Sequence, residues 1–362
     1  MTEYTIFMAC LPGLEPLLLN EAQALGFSDP SALPGGVEFN GGMSDIARAN
    51  RESRLASRVL VRIGAFRAMH LAQLDKRARK LPWADWLRGD VPVRIEASCT
   101  RSRIYHQKAA AQRIERAITD AVGAPLSAAE GLRVMLRIDD DLATISLDTS
   151  GESLHKRGYK QFIGKAPLRE TMAAAFLRQM GYDGTQPVID PMCGSGTFVL
   201  EAADIAAGLA PGRARSFAFE QFSGAPEQPA IPMPPRSPDL RFFGYDRDQG
   251  AVQGATANAE RAGLSDWTQF TCQPISALTR PDCAPGLVMV NPPYGGRIGN
   301  IGQLYGLYAS LGKALAEQFA GWRVGLVTTD AKLAHATGLK LDAGAPIPHG
   351  GLKVRLFQSA AL

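Results

Sequence analysis

The spacing of apolar positions gives the two halves of this chain different rhythms. YTIFMAC, residues 4–10, is a short strand-like run. LEPLLLNEAQALGF then carries helical spacing between Gly13 and Gly26, a glycine that suits a helix end. GGVEFNGG predicts a brief strand between glycine turns. MSDIARANRESRLASRVL has helical spacing, with Arg48, Arg51, Arg54 and Arg58 at steps of three, three and four, so they are expected on one helix face. RVLVRIGAF turns strand-like. LAQLDKRARKL (71–81) predicts a second basic helix, VPVRIEAS (91–98) a strand, and the stretch from Tyr105 to Val122 a helix. GLRVMLRIDDDLATISLDTS reads as two strands around the turn Asp139–Asp141. This order predicts two small α+β units before residue 150.

GESLHKRGYKQFIGKAP has no clear period and is Gly-rich and basic, so residues 151–166 are expected to be a linker. Beyond it, strand and helix patterns alternate: PVIDP and FVLEAADIAAG; FFGYD and DQGAVQGATANAERAG; TQFTCQ; LVMVNPP and LYGLYASLGKALAEQF; WRVGLVTTD; and GGLKVRLF. Apolar strands alternating with helices predict an α/β fold, with a doubly wound, mostly parallel Rossmann-like sheet over residues 167–362. Residues 211–238 interrupt the alternation with seven prolines and are expected to be a surface insertion, the most mobile part of this half.

A length of 362 residues suggests two or three domains, and 46% apolar residues are ample for their cores. No apolar run of about 18 residues predicts a membrane span. The N-terminal stretch lacks a basic n-region, and Glu15 interrupts its apolar run, so no signal peptide is expected. Five scattered cysteines without a C-x-x-C pair, and five dispersed histidines, support neither a disulfide framework nor a metal site. Free thiols in a reducing cytoplasm are the simplest reading. Charge changes the picture more. The net charge is +4, and residues 48–116 hold 17 basic against 6 acidic side chains. A charge run is usually a solvated face; an excess this large favours a polyanion partner, because Lys and Arg on phosphates release counterions.

In an open parallel sheet, ligands bind outside the carboxyl ends of the strands. VIDPMCGSGTFVLEAA (188–203) offers Asp190, then a Gly-rich loop opening a helix. Glycines let backbone amides approach a ligand, and the helix start adds partial positive charge. A dinucleotide fingerprint would need glycine where Val199 stands, and a P-loop would need a lysine. An acid before the loop repels pyrophosphate and suits a cationic ligand, which favours S-adenosylmethionine over NAD or ATP. FFGYD ends on Asp246, which can accept from ribose hydroxyls; the alternative role, a helix N-cap, fits Asp248 better. TQFTCQPISAL places Gln273, Pro274 and Ile275 where an adenine contact belongs, which allows apolar packing but no acidic hydrogen bond.

LVMVNPPYGG is the last strand end. Asn291 offers a side-chain oxygen, and Pro292 a backbone carbonyl without a competing N–H. Two converging acceptors suit an exocyclic amine with two hydrogens. Holding both draws the nitrogen lone pair out of conjugation and toward a methyl carbon, so positioning and electrostatics lower the barrier. Pro293 stiffens the turn that aims Tyr294 at a planar base or amide, while Gly295 and Gly296 leave room for it. N-P-P alone is more often a plain turn; the glycine loop two strands earlier makes it a candidate site.

DPMCGSGTFVLEAA and NPPYGGRIG resemble class I S-adenosylmethionine-dependent amino-methyltransferases. With GLEPLLLNEAQALGF, GGVEFNGG, SRLASRVL, LHKRGY and APLRETMAAA, the chain from Leu14 to Tyr305 resembles the THUMP-containing guanine-N2 RNA methyltransferases, and among them those acting on bacterial 23S ribosomal RNA. The resemblance implies a ferredoxin-like part over 1–64, interleaved with a THUMP RNA-binding region over 45–150, and a methyltransferase domain over 167–362. It implies S-adenosylmethionine as cofactor, S-adenosylhomocysteine as product, and RNA as partner. Pro167, Leu168, Asp190, Pro191, Cys193, Gly194, Ser195, Gly196, Thr197, Asp246, Ile275 and Asn291 would surround the cofactor, and Asn291, Pro292, Pro293 and Tyr294 the target amine. Arg48, Arg51, Arg54, Arg58, Lys76, Arg77, Arg79, Lys80, Arg101 and Arg103 would face RNA.

Three features depart from the family pattern. Pro274 stands where relatives carry an acid, the 211–238 insertion is shorter and Pro-rich, and the sequence ends at Leu362 where some relatives continue into a second methyltransferase domain, so one activity is expected. Transfer RNA is the close alternative substrate. Protein glutamine-N5 and DNA adenine-N6 methylation use the same amine-holding motif, and the basic first half argues against both. A non-catalytic RNA-binding factor is the remaining alternative, supported by Pro274 alone.

Overall fold

The computed structural model describes residues 3–164, 167–225, 241–294 and 301–362. Of these, residues 3–10, 18–154 and 215–225 cluster as one compact unit, and the others as a second.

In the first unit, strands β1 (Tyr4–Ala9), β2 (Ser28–Leu33), β3 (Gly36–Gly41), β4 (Arg58–Arg67), β5 (Val93–Thr100), β6 (Leu132–Asp139) and β7 (Leu142–Asp148) form one sheet in the order β2-β3-β1-β4-β7-β6-β5. The two α+β units expected from the pattern therefore share a sheet. The reason is the length of β4: Arg58–Arg62 pair with β1 along one edge, and Leu60–Arg67 pair with β7 along the other. Asp140 and Asp141 turn the β6–β7 hairpin at positive φ (50° and 59°), a conformation that short polar side chains tolerate. Strand β2 has no alternating pattern and contains Pro30, which a sheet edge accommodates. Helices α1 (Glu15–Ala24), α2 (Met43–Glu52), α3 (Leu71–Ala78), α4 (Trp83–Trp86) and α5 (Gln107–Val122) complete the regular structure before residue 150.

The expected arginine face does not form. Helix α2 ends at Glu52 because buried Glu21 captures the next three residues: its carboxylate accepts from Ser53 Oγ (2.6 Å), Arg54 N (3.0 Å) and Leu55 N (3.2 Å). Arg54 is buried, and Arg58 lies in β4, paired with the fully buried Asp148 and donating to the Gly151 carbonyl at 2.7 Å. Arg48 pairs with Asp45 and Glu52 and lies over the Phe27 ring. The expected mobile insertion is also corrected in part. Residues 215–225 pack into the first unit through buried Phe217, Phe219 and Phe222, and the Arg215 guanidinium donates to the carbonyls of Ser150, Glu152 and Ser153. Residues 226–240 lie outside the described residues.

The second unit carries β8 (Val188–Asp190), β9 (Phe242–Asp246), β10 (Thr268–Cys272), β11 (Leu287–Val290), β12 (Arg323–Thr328), β13 (Asp342–Ala343), β14 (Ile347–His349) and β15 (Leu352–Gln358). The sheet order is β10-β9-β8-β11-β12-β15-β13, with β14 paired to β15. Pairings from β10 to β12 are parallel, and β15 runs antiparallel. The chain lays β9 and β10 on one side of β8 and returns to place β11 on the other. The order therefore reverses between β8 and β11, which opens a crevice at their carboxyl ends. Helices α6 (Glu170–Gln179), α7 (Thr197–Ala206), α8 (Gln249–Ala262), α9 (Ile301–Gln318) and α10 (Ala331–Ala336) connect the strands. Every residue of α7 from Thr197 to Asp204 is buried. Its two acids are met by guanidinium groups, Glu201 by Arg157 at 3.2 Å and Asp204 by Arg213 at 2.6 Å. Among the described residues, no helix is long and apolar enough to cross a membrane.

Arg58 is thus a structural cation. Among the described residues, Arg58→Ala leaves buried Asp148 with only Arg133, 3.8 Å away, as a nearby cation. It is expected to cost about 3 kcal/mol, read as a lower urea midpoint for the unit that contains it. A wild-type midpoint would remove Arg58 from the structural set.

Candidate active site

A cavity of about 320 Å³ opens at the reversal in strand order. The ends of four strands, β8, β9, β10 and β11, build it. Strand β8 delivers Asp190, and the chain then makes the Cys193–Gly196 loop before α7 begins at Thr197. The loop is tied across to the next strand, with Cys193 N donating to Tyr245 O (2.8 Å) and Gly194 N to Asp246 Oδ2 (3.0 Å). Gly194 and Gly196 both have positive φ (52° and 81°), and a Cβ on Gly196 would stand 3.1 Å from the Phe270 ring. The second glycine is therefore demanded by both conformation and space.

Asp246, at the end of β9, also accepts from Asp248 N at 3.0 Å, leaving a lone pair on each oxygen for a ligand. Asp248 caps α8 through Gly250 N at 2.8 Å, the role its position suggested. Asp190 is deeply buried and accepts from Met192 N at 3.0 Å. Burial, opposed by that hydrogen bond and assisted by the charge of Asp246, holds its carboxyl well above the usual carboxylate range. Burial first, then Asp190 and Asp246, pushes the Cys193 thiol up as well, so Cys193 contributes contact rather than a nucleophile.

Of the expected cofactor residues, Pro167, Leu168, Asp190, Pro191, Cys193, Gly194, Ser195, Thr197, Asp246, Ile275 and Asn291 line this cavity; Gly196 shapes the loop from behind it. Asn291 and Pro293 are on the wall, Pro292 is buried beside them, and Tyr294 is half-buried against the core around β11 and α9. Gly295 and Gly296 lie outside the described residues. The candidate RNA residues Lys76, Arg77, Arg79, Lys80, Arg101 and Arg103 are exposed on the first unit. Arg79 is held by Asp75 and Asp120, and Arg101 by Asp139.

Sequence reasoning placed Gln273 at the adenine end of the site without a role for its amide, and it missed Gly164 and Tyr308. Gln273 lines the cavity, and its amide Nε2 is buried with no hydrogen-bond partner among the described residues. Gly164, from the stretch read as linker, lines it too. Tyr308 of α9 places its hydroxyl 3.4 Å from the Pro293 carbonyl and 3.3 Å from Thr328 Oγ1, behind the N-P-P-Y segment. Burial pushes the Tyr308 phenol up to about 12, so it remains a donor. A helical tyrosine carries no sequence signal for such a role.

The donor set fits S-adenosylmethionine. A buried carboxyl faces the cavity where a cationic group would restore its charge, a second carboxylate has free lone pairs for hydroxyls, and an unpartnered amide on the lining could donate to a base acceptor. Among the described residues, no group of three or more His, Cys, Asp or Glu is placed to hold a metal ion.

Asp190 makes the fit testable. A raised carboxyl pKa means that the ligand-free fold binds a proton the unfolded chain releases, so Asp190 destabilises the empty protein as pH rises above the ordinary carboxylate value. A cationic ligand favours the ionised form. Affinity for S-adenosylmethionine should therefore fall as pH drops through the raised pKa, with proton release visible by calorimetry in buffers of different ionisation enthalpy. Asp190→Asn should flatten that dependence, weaken binding about tenfold or more, and raise the melting temperature of the ligand-free chain. An unchanged pH dependence would remove Asp190 from the site.

The comparisons with known proteins point the same way. Residues 157–348 match the family model described as RMKL-like, methyltransferase domain, and residues 5–60 match the RlmL ferredoxin-like domain. The ribosomal RNA large subunit methyltransferase K/L of Syntrophotalea carbinolica is 36% identical over 97% of this chain and 53% of its own length. That of Cellvibrio japonicus is 35% identical over 93% of this chain and 48% of its own. The chain spans about half the length of the curated relatives it matches. Among solved structures, a "predicted N6-adenine-specific DNA methylase" from Listeria monocytogenes superposes with a TM-score of 0.87 at 29% identity, covering 100% of this chain and 97% of that one. SMU.472, solved with S-adenosylhomocysteine, gives 0.85 at 26% identity, covering 100% and 99%. Since the first match runs through more than half of its residues, and through every strand end of the cavity, the chain belongs to the RMKL-like methyltransferase-domain family.

Proposed function

We propose that this protein transfers the methyl group of S-adenosylmethionine to the exocyclic N2 of a guanosine in 23S ribosomal RNA. The observation that carries the reading is the placement of Asn291 and Pro293 on the wall of a cavity whose other walls suit that cofactor. The 36% identity to a ribosomal RNA methyltransferase over 97% of the chain supports the substrate.

The cofactor, when bound, supplies an electrophilic methyl carbon. The chain's residues supply the rest. Asn291 Oδ1 and the Pro292 carbonyl accept the two amine hydrogens and orient the nitrogen lone pair. The Pro292 ring removes a donor that would compete for those acceptors. Tyr308 holds the segment through the Pro293 carbonyl, and Tyr294, packed on the core on one side, offers its ring to the base. Among the described residues no histidine lines the cavity, and the proton leaves to solvent. The acceleration comes from positioning and fixed dipoles rather than from a strong base.

In this reading, residues 1–64 form the ferredoxin-like part, 45–150 a THUMP region that captures RNA, 151–166 the linker and 167–362 the catalytic domain, acting in the cytoplasm. Exposed Lys76, Arg77 and Lys80 supply phosphate contacts, and Arg51 stays in the candidate set. The Listeria neighbour's description favours DNA adenine-N6 as the second reading, since an adenine amine presents the same pair of hydrogens.

Incubation with labelled cofactor and, separately, tRNA, naked 23S RNA, assembled large subunits and DNA, followed by nucleoside analysis, decides among these. N2-methylguanosine from 23S RNA or subunits is expected; N6-methyladenine in DNA would replace the proposal. Asn291→Ala should lower kcat at least a thousandfold with S-adenosylhomocysteine affinity within a few-fold of wild type. Persistent methylation would refute the amine-acceptor role. Substituting Lys76, Arg77 and Lys80 with glutamine should weaken RNA binding and reduce the slope of log affinity against log salt by about 3. An unchanged slope would place the RNA surface elsewhere.

A further inference from the structure

Residues 159–164 have no regular secondary structure, yet they are held from several directions within the second unit. Irregular backbone that leaves solvent needs partners for its N–H and C=O groups. Arg261 Nε donates to Tyr159 O (2.8 Å), and one other side chain supplies three partners. Asn258 of α8 is fully buried. Its Oδ1 accepts from Gln161 N (3.1 Å) and Phe162 N (3.2 Å), and its Nδ2 donates to Phe162 O (3.1 Å) and to Ser195 O (3.2 Å). The first three bonds fix the irregular segment. The fourth fixes the glycine loop of the cofactor cavity.

Two further contacts run the same way. Lys160 Nζ donates to Thr197 Oγ1 (2.8 Å), the residue after the loop, and pairs with Glu170 Oε1 (3.0 Å). The Phe162 ring lies on Gly254 in the interior of α8, where a Cβ would come within 2.3 Å of the ring carbons. A glycine inside a helix costs roughly 1 kcal/mol relative to alanine, and here the ring requires it. Beyond Phe162, Gly164 reaches the cavity wall.

We propose that residues 159–164 act as a strap that forms part of the cofactor site, and that Asn258 is the positioning residue that couples this strap to the glycine loop. The amide suits the task because it presents an acceptor to two backbone N–H groups and a donor to two carbonyls at once. An aspartate in its place keeps the acceptor, loses the donor, and sets oxygen against the oxygens of Ser195 and Phe162.

The test reads S-adenosylhomocysteine binding to the full chain by calorimetry, which needs no RNA, so its outcome is independent of the substrate proposed above. Gly254→Ala leaves every cavity-lining residue and Asn258 in place and improves helix propensity, so the ligand-free melting temperature should stay at or above wild type. Its added Cβ displaces the Phe162 ring, and the affinity should fall about tenfold or more. Asn258→Asp should weaken binding at least as much. In Phe162→Leu, with the ring gone, a second change of Gly254→Ala should cost less than threefold further. Gly254→Ala binding as tightly as wild type, or an additive loss in the double variant, would overturn the proposal.

Discussion

The structure depends on burying two acids. Helix α7 opens from the glycine loop and is covered along its length, so Glu201 and Asp204 lie in its interior-facing turns with no access to water. An unpaired buried carboxylate costs several kcal/mol, and breaking a buried pair costs about as much. Arg157 and Arg213 meet that demand, and both stand beside a point where the chain passes between units: Arg157 three residues after Leu154, and Arg213 two before Arg215. Satisfying α7 therefore pins the chain at both of these points within the second unit. It also explains why the stretch that looked like a linker is anything but loose. Once Arg157 is pinned, Lys160, Phe162 and the buried Tyr159 follow across α7 and α8, and Gly164 arrives at the cavity. At Gly158, φ is +100° and a Cβ would fall 2.1 Å from the Ala214 carbonyl, so the two pinned segments run against each other without room for a side chain.

The cavity is strained in the opposite sense. Asp190 is buried without a cation among the described residues near enough to hold its charge, and Asp246 adds a second carboxylate across the loop. The empty site is electrostatically unfavourable, and a ligand carrying positive charge removes the penalty. Natural sites commonly give up stability for such preorganisation. The contrast with α7 is instructive. The end of β8 and the helix that follows its loop thus carry both acids paired by protein cations and an acid left for a ligand to pair. A pattern of charged residues in sequence does not distinguish them; the presence of an arginine across the contact does.

That contrast also sets what could be read from sequence. The parallel sheet, the glycine loop, Asp246 and the N-P-P-Y segment were legible because each rests on local chemistry: strand alternation, positive φ at glycine, and proline's missing donor. The cap formed by Asp248 was legible for the same reason. The arginine face was not, because helical spacing of Arg48, Arg51, Arg54 and Arg58 says nothing about Glu21, over thirty residues away, which captures Ser53 to Leu55 and ends the helix. Strand β2 was missed because an edge strand needs no apolar face. Residues 215–225 look like insertion because prolines dominate the composition around them, whereas Phe217, Phe219 and Phe222 decide the packing.

Asn258 shows where local reading ends. In sequence it is one polar residue in ANAERAG, and nothing marks it apart from an exposed helix position. Its burial is decided by segments lying 63 and 96 residues earlier in the chain, which bring Ser195 and Phe162 to its two ends. A buried amide with all its partners is favourable only if every one of them is in place. The strap, the loop and α8 therefore hold one geometry together, and a cofactor that selects this loop conformation also selects the strap that completes its wall.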